Sequence, residues 1–286
     1  MLPTSQQVSR INDVLYFIHQ DISKELLARD LANIAAYSEQ HFHRVFKAVV
    51  GESVHHYIRR TRLEFAANQL MFDGSATVLD VATKAGFSSV SSFSRAFKAT
   101  FNCAPGQWRN LDRQDSNSEV AAYYQKISHI ELPACELREL PPRHVAYIRH
   151  QGYDRSISNA WQTLKAWAAM NNVDFSQQFG LHHSNPAWVA LDKCRYVACL
   201  AVESPITRRG IVNAMTIPGG LHAVFKLRGR YGELLPQLSN ILANWLPTSG
   251  FKMQSTPAYV HYQKNQFLAP DERYELEFCL PISLFN

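Results

Sequence analysis

With 286 residues, 46% of them hydrophobic and 19% charged, the chain has a globular balance and the length for about two domains, each with its own core. A net charge of +5 permits a polyanionic partner but falls far short of the density that coats nucleic acid indiscriminately. Five scattered cysteines (Cys103, Cys135, Cys194, Cys199, Cys279) without a Cys-x-x-Cys pair exclude a disulfide framework and a structural zinc site, and the lack of a leader or a long apolar run leads us to expect a soluble cytoplasmic protein.

From Val8 to Arg109 apolar residues recur at three- and four-residue intervals, which predicts helices almost throughout, broken near Ser23, Ala36, Gly51, Gly74 and Gly86. One segment is used twice. Leu31-Ala32-x-x-Ala35-Ala36-Tyr37 returns fifty residues on as Val81-Ala82-x-x-Ala85-Gly86-Phe87. After one inserted residue, Phe42-x-Arg44-x-Phe46-Lys47 returns as Phe93-x-Arg95-x-Phe97-Lys98, and Tyr57 and Trp108 keep that offset.

Each copy reads as helix, tight turn, helix. In the second, Val78, Val81 and Ala82 face inward, Gly86 supplies a permissive turn backbone, and Ser88 or Ser89 caps the next helix. Phe93 and Phe97 then lie one turn apart and point inward, on a face that Arg95 and Lys98 do not share. In the first copy Ser38 caps a helix that buries Phe42 and Phe46 and offers Gln40, His43, Arg44 and Lys47 to solvent. A second helix with exposed polar and basic groups is what reading a major groove requires. Between the copies, Ser53 to Leu70 is expected to form one long amphipathic helix that spaces the two units, its basic run Arg59, Arg60 and Arg62 within reach of a phosphate backbone.

The polar stretch from Leu111 to Ser118 marks a linker, set at 111–126, between a domain over 1–110 and another over 127–286. Short β-like runs come next at 145–148, 196–202, 222–227 and 274–280, with helical periodicity over 154–170 and 231–246. This half also repeats, with a period of 78: His144, Tyr147, Tyr153, Leu164 and Trp167 correspond to His222, Phe225, Tyr231, Leu242 and Trp245. The fold class expected is an all-α first domain followed by an α+β domain built from a duplicated strand-helix-strand unit, with a ligand cavity at the seam.

The signature Val78-x-x-Val81-Ala82-x-x-x-Gly86-Phe87-x-x-x-x-x-Phe93-x-Arg95-x-Phe97-Lys98, ending in Ala104-Pro105-x-x-Trp108-Arg109, resembles the AraC/XylS family of bacterial regulators over the whole first domain. The resemblance implies two helix-turn-helix subdomains entering successive major grooves. Positions matching the family's reading residues are Gln40, His43 and Arg44 in the first helix and Val90, Ser91, Ser92 and Arg95 in the second, with Lys47, Arg59 and Lys98 as further DNA contacts. Arginine reaches guanine or phosphate with two donors, whereas Val90, Ser91 and Ser92 suit a thymine methyl or groove filling, so the first helix is expected to dominate specificity.

The second half resembles the GyrI-like effector-binding domain of Rob-type regulators, through Gly152-Tyr153, Trp161, Trp167, Pro186, Cys194-Arg195-Tyr196, Ile217-Pro218-Gly219-Gly220, Trp245-Leu246-Pro247, Pro257-x-Tyr259-x-x-Tyr262 and Pro281. Two departures matter. The resemblance implies a cavity-facing acid just after Tyr259 and another after Cys194-Arg195-Tyr196; Val260 and Val197 stand there. A neutral or aromatic ligand is therefore expected, or a pocket in which Glu203 or Glu277 replaces the missing charge. Tyr147, Tyr153, Trp161, Trp188, Phe225, Tyr231, Tyr259 and Glu277 are the candidate ligand-binding residues, although aromatic residues at such spacings equally serve a core.

His182 and His183 are expected to face solvent, with no further ligands to make a metal site. No catalytic residues and no cofactor are assigned. The partners expected are double-stranded DNA, a small-molecule effector and RNA polymerase, with no membrane. The function expected is a sequence-specific DNA-binding transcription regulator with a small-molecule-sensing domain. Two alternatives stand beside it: a second domain that binds a protein partner, and a hydrolase acting on a small aromatic compound.

Overall fold

A computed structural model describes residues 3–109, 127, 129–204, 206, 211–254 and 256–284. The linker expected at 111–126 lies outside the described residues. Chain contacts divide the protein into two units, Met1–Asn110 with Thr207–Asn213 and Leu111–Ile206 with Ala214–Asn286, and each is described by itself.

In the first unit Thr4 and Gln7 form a capping box that opens α1 (Ser5–Gln20). The first helix-turn-helix is α2 (Ala28–Ile34) and α3 (Glu39–Val50); the second is α5 (Val78–Lys84) and α6 (Val90–Phe101). Between them runs α4 (Val54–Phe72), and α7 (Pro105–Arg109) comes after the second copy. Thr77 with Asp80 caps α5 as a second box, and Ser89 caps α6 by accepting from the Ser92 N–H. Ser38 stands at the start of α3 without a side-chain capping bond.

The two copies share their packing. Phe42 and Phe46 lie 5.6 Å apart with Tyr57 edge-on to Phe46, and Phe93 and Phe97 lie 5.4 Å apart with Trp108 edge-on to Phe97. All six rings are buried, and burying rings of this size is the main source of stability for so small a bundle. The Trp108 indole also donates to the Ala67 carbonyl at 3.2 Å, which ties α7 to the long helix.

The second unit carries an antiparallel sheet with helices on one side. Its strands are β1 (Cys135–Leu140), β2 (Arg143–Gln151), β3 (Gln178–His182), β4 (Arg195–Ala201), β5 (Asn213–Ile217), β6 (Gly220–Arg230), β7 (Phe251–Met253), β8 (Tyr259–Lys264) and β9 (Arg273–Leu284). They lie in the order β1-β6-β9-β8-β3-β4-β2-β5, with β7 added on β9. The all-α plus α+β arrangement is thus the one present.

The helices of the two periodic stretches begin later than their periodicity suggests. Asp154 accepts from the Ser156 N–H at 2.7 Å in a turn, so α8 starts at Ile157 and runs Ile157–Met170. The second, α9 (Leu234–Asn240), passes into a π turn, Ile241–Trp245, and a 3-10 turn, Leu246–Thr248, that carries Pro247.

Strand alternation sorts the sheet into two faces. Trp161 of α8 donates to the Tyr196 hydroxyl at 3.2 Å, and Trp245 lies edge-on to Phe225, so Tyr196 and Phe225 face the helices. Val145, Tyr147, Phe179, Leu181, Val197, Cys199, Val224, Tyr259 and Cys279 cluster on the opposite face. Among the described residues of this unit, α8 and α9 pack only on the first.

Candidate nucleic-acid interface and candidate effector face

Identical turns present α3 and α6. After α2, Ala36 N–H donates to the Asn33 carbonyl and Tyr37 N–H to Ala32; after α5, Gly86 N–H donates to Thr83 and Phe87 N–H to Ala82. These bonds satisfy the last carbonyls of each first helix and turn the chain sharply. Each turn leads into a helix with its aromatic side buried and its other side bare.

On α3, Gln40, Arg44 and Lys47 are exposed and His43 is half-buried, its ring 3.9 Å from the Glu39 carboxylate and 5.5 Å from the ring of His55. On α6, Ser91, Arg95 and Lys98 are exposed and Val90 and Ser92 half-buried. The Ser92 hydroxyl is occupied, donating to the Ser89 carbonyl at 2.9 Å. Neither Arg44 nor Arg95 has a hydrogen bond or ion pair among the described residues. Two bare guanidinium groups at matching points of two presented helices are suited to phosphate or guanine.

The basic run on α4 divides. Arg59 is exposed, whereas Arg60 is held by Glu52 and, at 2.7 Å, by Glu64. Those carboxylates raise the Arg60 pKa against its burial, and Arg60 in turn holds Glu52 below the usual carboxylate range. Arg62 donates to the Ile22 and Lys24 carbonyls at 3.0 and 2.7 Å. Arg60 and Arg62 thus hold the unit together and do not reach toward a phosphate backbone, because the donors of each are engaged by neighbouring acceptors.

In the second unit the eight candidate ligand residues separate. Tyr147, Tyr259 and Glu277 lie on the sheet face without helices. Trp161, on α8, and Phe225 are fully buried on the other side of the sheet, Trp161 against Tyr196 and Phe225 against Trp245 and Phe278. Tyr153 donates to the Ser184 and Arg195 carbonyls, each at 3.1 Å, and fixes the turn after β2. Tyr231 lies beneath Arg155, whose guanidinium is 4.3 Å from its ring and is held by Glu272. Trp188 packs with Ile127, Ile130 and Ala243 in a separate cluster.

Tyr147 and Phe225, a period of 78 apart, therefore point to opposite faces. The registers explain this: Tyr147 sits across from Cys199, and Phe225 across from Phe278. Residues one sequence period apart on β2 and β6 therefore do not share a face.

Val260 is also turned away from the face that carries Tyr147 and Tyr259. It pairs with Gly180 and Phe278 on the helix-covered side, and a Cβ on Gly180 would run into the Tyr196 hydroxyl. Val260 does not share the face of its neighbour Tyr259, because adjacent strand residues alternate. Val197, by contrast, lies on the face of Tyr147 and Tyr259, buried in their cluster. Glu277 is there too, but Arg138 holds it at 2.6 Å, with His261 4.0 Å away, so its charge is already matched. Burial, chiefly, and then Arg143 and Arg138 depress the His261 pKa, while Glu277 raises it. Burial pushes up the Tyr259 hydroxyl pKa.

Sequence reasoning passed over the cations of this face. Arg143, 5.4 Å above the Phe179 ring, and Arg149, 5.2 Å from the Tyr147 ring, share a side of β2 with Val145 and Tyr147, and period-two counting from Tyr147 identifies both. A shallow groove of about 250 Å³ by the β6–β9 pair is lined by Lys226, Arg228, Gln263, Glu275 and Glu277. His182 and His183 are half-buried and do not simply face solvent, since Tyr153 and Tyr196 enclose the His182 ring edge-on. No helix among the described residues is long and apolar enough to cross a membrane.

Residues 133–283 match the model of the GyrI-like small molecule binding domain, and residues 31–111 match a helix-turn-helix domain. The HTH-type transcriptional activator AarP of Providencia stuartii is 35% identical over 109 residues, 38% of this chain and 80% of AarP. The "Probable transcriptional regulator YgiV" of Escherichia coli K12 is 27% identical over 159 residues, 55% of this chain and 96% of YgiV. The HTH-type transcriptional regulator YbfP of Bacillus subtilis is 34% identical over 116 residues, which span 41% of this chain and 38% of YbfP's length. The chain therefore belongs to the GyrI-like small-molecule-binding family, and it joins that domain to an AraC-type helix-turn-helix domain, the make-up of a DNA-binding transcription regulator.

Proposed function

We propose that α3 and α6 read an asymmetric DNA site of about two major-groove turns, and that a small molecule bound by the second domain sets the regulator's activity or stability. The observation that carries this reading is the pair of matching turns, each presenting a helix with an unpartnered arginine, Arg44 or Arg95. Gln40, His43 and Lys47 join Arg44 in the first groove; Val90, Ser91, Ser92 and Lys98 join Arg95 in the second; Arg59 meets phosphate. RNA polymerase is the further partner of such a regulator.

The domain limits are accordingly 1–110, 111–126 and 127–286. The second domain is a duplication in which β1-β2-α8-β3-β4 and β5-β6-α9-β8-β9 are equivalent. In support, the strand order is the same read from either end if each copy's first strand is exchanged, β1 lying on β6 and β5 next to β2. The central pair β3–β8 then carries the pseudo-twofold axis.

The effector site is centred on Tyr147, Tyr259 and Glu277, and the face binds its ligand without turning it over. Supporting that, Tyr259 is held protonated by burial and Glu277 is held by Arg138, which leaves no acid-base pair poised near neutrality. Selection of bound sequences from random duplexes by the full chain tests the DNA half, and enrichment of one motif is expected. No enriched motif overturns it, and hydrolytic turnover by the chain overturns the binding role of the second half.

A further inference from the structure

Arg10 and Arg62 occupy equivalent places in the two helix-turn-helix copies. Each lies eleven residues before the aspartate that ends its helix, Asp21 after α1 and Asp73 after α4. Each aspartate accepts from the N–H two residues on, Ser23 or Ser75, at 3.0 Å. Arg10 closes its own copy. It donates to the Ala35 and Ala36 carbonyls at 3.3 and 3.1 Å, and its guanidinium carbon stands 5.0 Å from the centre of the Tyr37 ring, at the turn that presents α3.

Arg62 reaches across to the other copy. It lies against the matching second turn, since a Cβ on Gly86 would come within 2.8 Å of its guanidinium, yet it donates to the Ile22 and Lys24 carbonyls at 3.0 and 2.7 Å, in the loop that precedes α2. The Ile22 carbonyl would stand equally close to that Cβ. This loop, from Asp21 to Leu27, is two residues longer than its counterpart from Asp73 to Thr77, and Ile22 packs on the core that holds Phe42 and Phe46 of α3. Gly86, Arg62 and the loop thus form one junction, which fastens the turn before α6 to the body that carries α3.

One base pair added between two half-sites moves the second by about 3.4 Å and turns it by about 35°. A protein senses that change only if its two reading helices are held at one distance and one angle. A single connecting helix such as α4 bends gently, so a second tie beside it is needed to fix the angle, and a planar guanidinium that donates to two separate carbonyls supplies one. We propose that Arg62 is a positioning residue for DNA reading: by locking the second turn to the 22–24 loop it sets the separation of half-sites that the chain accepts. This role rests on the reading of α3 and α6 as the helices that enter DNA.

Competition binding by the full chain tests it, with the duplex selected by the parent and the same duplex carrying one base pair more or one fewer between its half-sites. The parent should prefer the selected spacing by about tenfold or more. Arg62→Met, which keeps the apolar stem and removes the donors, should cut that preference to less than about threefold while discrimination between bases within each half-site is kept. Arg10→Met should do the reverse, weakening discrimination within the α3 half-site by about threefold or more and keeping the spacing preference. A mere loss of stability lowers binding to every duplex alike and leaves the ratio between spacings unmoved. Should Arg62→Met not fold, Arg62→Gln, which keeps an amide donor on a shorter side chain, takes its place with the same expectation. A spacing preference equal to the parent's in the folded Arg62 variant overturns the positioning role, as does one lost together with discrimination within both half-sites, or a parent that accepts all three spacings equally. A parent that selects no motif overturns the reading of DNA by α3 and α6 itself.

Discussion

Ala36 and Gly86 stand fifty residues apart at the same point of two turns, and both adopt a left-handed backbone, with φ of 52° and 75°. The hydrogen bonds around them are the same, but their surroundings are not. A Cβ on Gly86 would come within 2.8 Å of the Arg62 guanidinium and of the Ile22 carbonyl. Ala36 carries the left-handed penalty that Gly86 avoids. Ala36→Gly should therefore raise stability by about 0.5–1 kcal/mol, and Gly86→Ala should lower it by about 2–3 kcal/mol through backbone strain and displacement of Arg62. Urea unfolding of the two variants measures both, and opposite signs are required.

Neighbouring arginines on α4 are predicted to behave differently. Arg60→Ala removes the cation that Glu52 and the buried Glu64 share, and should cost about 2–4 kcal/mol of folding stability. Arg59→Ala should leave the melting temperature near that of the parent and reduce the slope of log affinity for DNA against log salt by about one. An unchanged salt slope for Arg59→Ala removes this residue from the interface.

Val260→Glu should not create a cation site. Its side chain faces the covered side of the sheet, in register with Gly180 and Phe278, so a carboxylate there enters the core. Stability should fall by about 3 kcal/mol or more, or the glutamate should take up a proton. A folded variant that gains affinity for an organic cation contradicts the assignment of faces.

Acid should weaken the fold through His182. Both ring nitrogens are covered and without hydrogen-bond partners among the described residues, Tyr153 and Tyr196 stand edge-on, and burial holds the pKa down at about 4. The unfolded chain takes up this proton near 6.5. Between those values the unfolded state binds more protons, so stability falls as pH drops through the window, by on the order of 1–3 kcal/mol. His183, also depressed, adds to the slope. Denaturant titrations from pH 7 to 4 should show a shallower loss in His182→Phe, and an identical loss would exclude His182 as a source.

The helical half was legible because its signals are local. Apolar spacing of three and four residues, serines at the helix starts and a repeat with two turns at one offset mark the two helix-turn-helix units before any long-range contact is considered. The roles of Arg60 and Arg62 were not, since their acceptors lie up to forty residues away in Ile22 and Lys24 or on the next turn in Glu64. In the sheet half the strong apolar runs marked β2, β4, β6 and β9, while β1, with Glu136, Arg138 and Glu139, reads as polar because it is an edge strand. Which aromatic residues share a face depends on strand pairing, and a sequence period of 78 does not reveal that Tyr147 and Phe225 point to opposite sides.

Arg44 tests the central claim most directly. Its side chain is exposed on α3 and bound to nothing else among the described residues, so Arg44→Ala should leave melting unchanged. At fixed salt, affinity for the motif selected by the parent chain should fall by about 10- to 100-fold, with non-specific affinity much less affected. An Arg44→Ala protein that binds that motif with the parent's affinity and specificity would contradict the assignment of α3 as the helix that reads DNA.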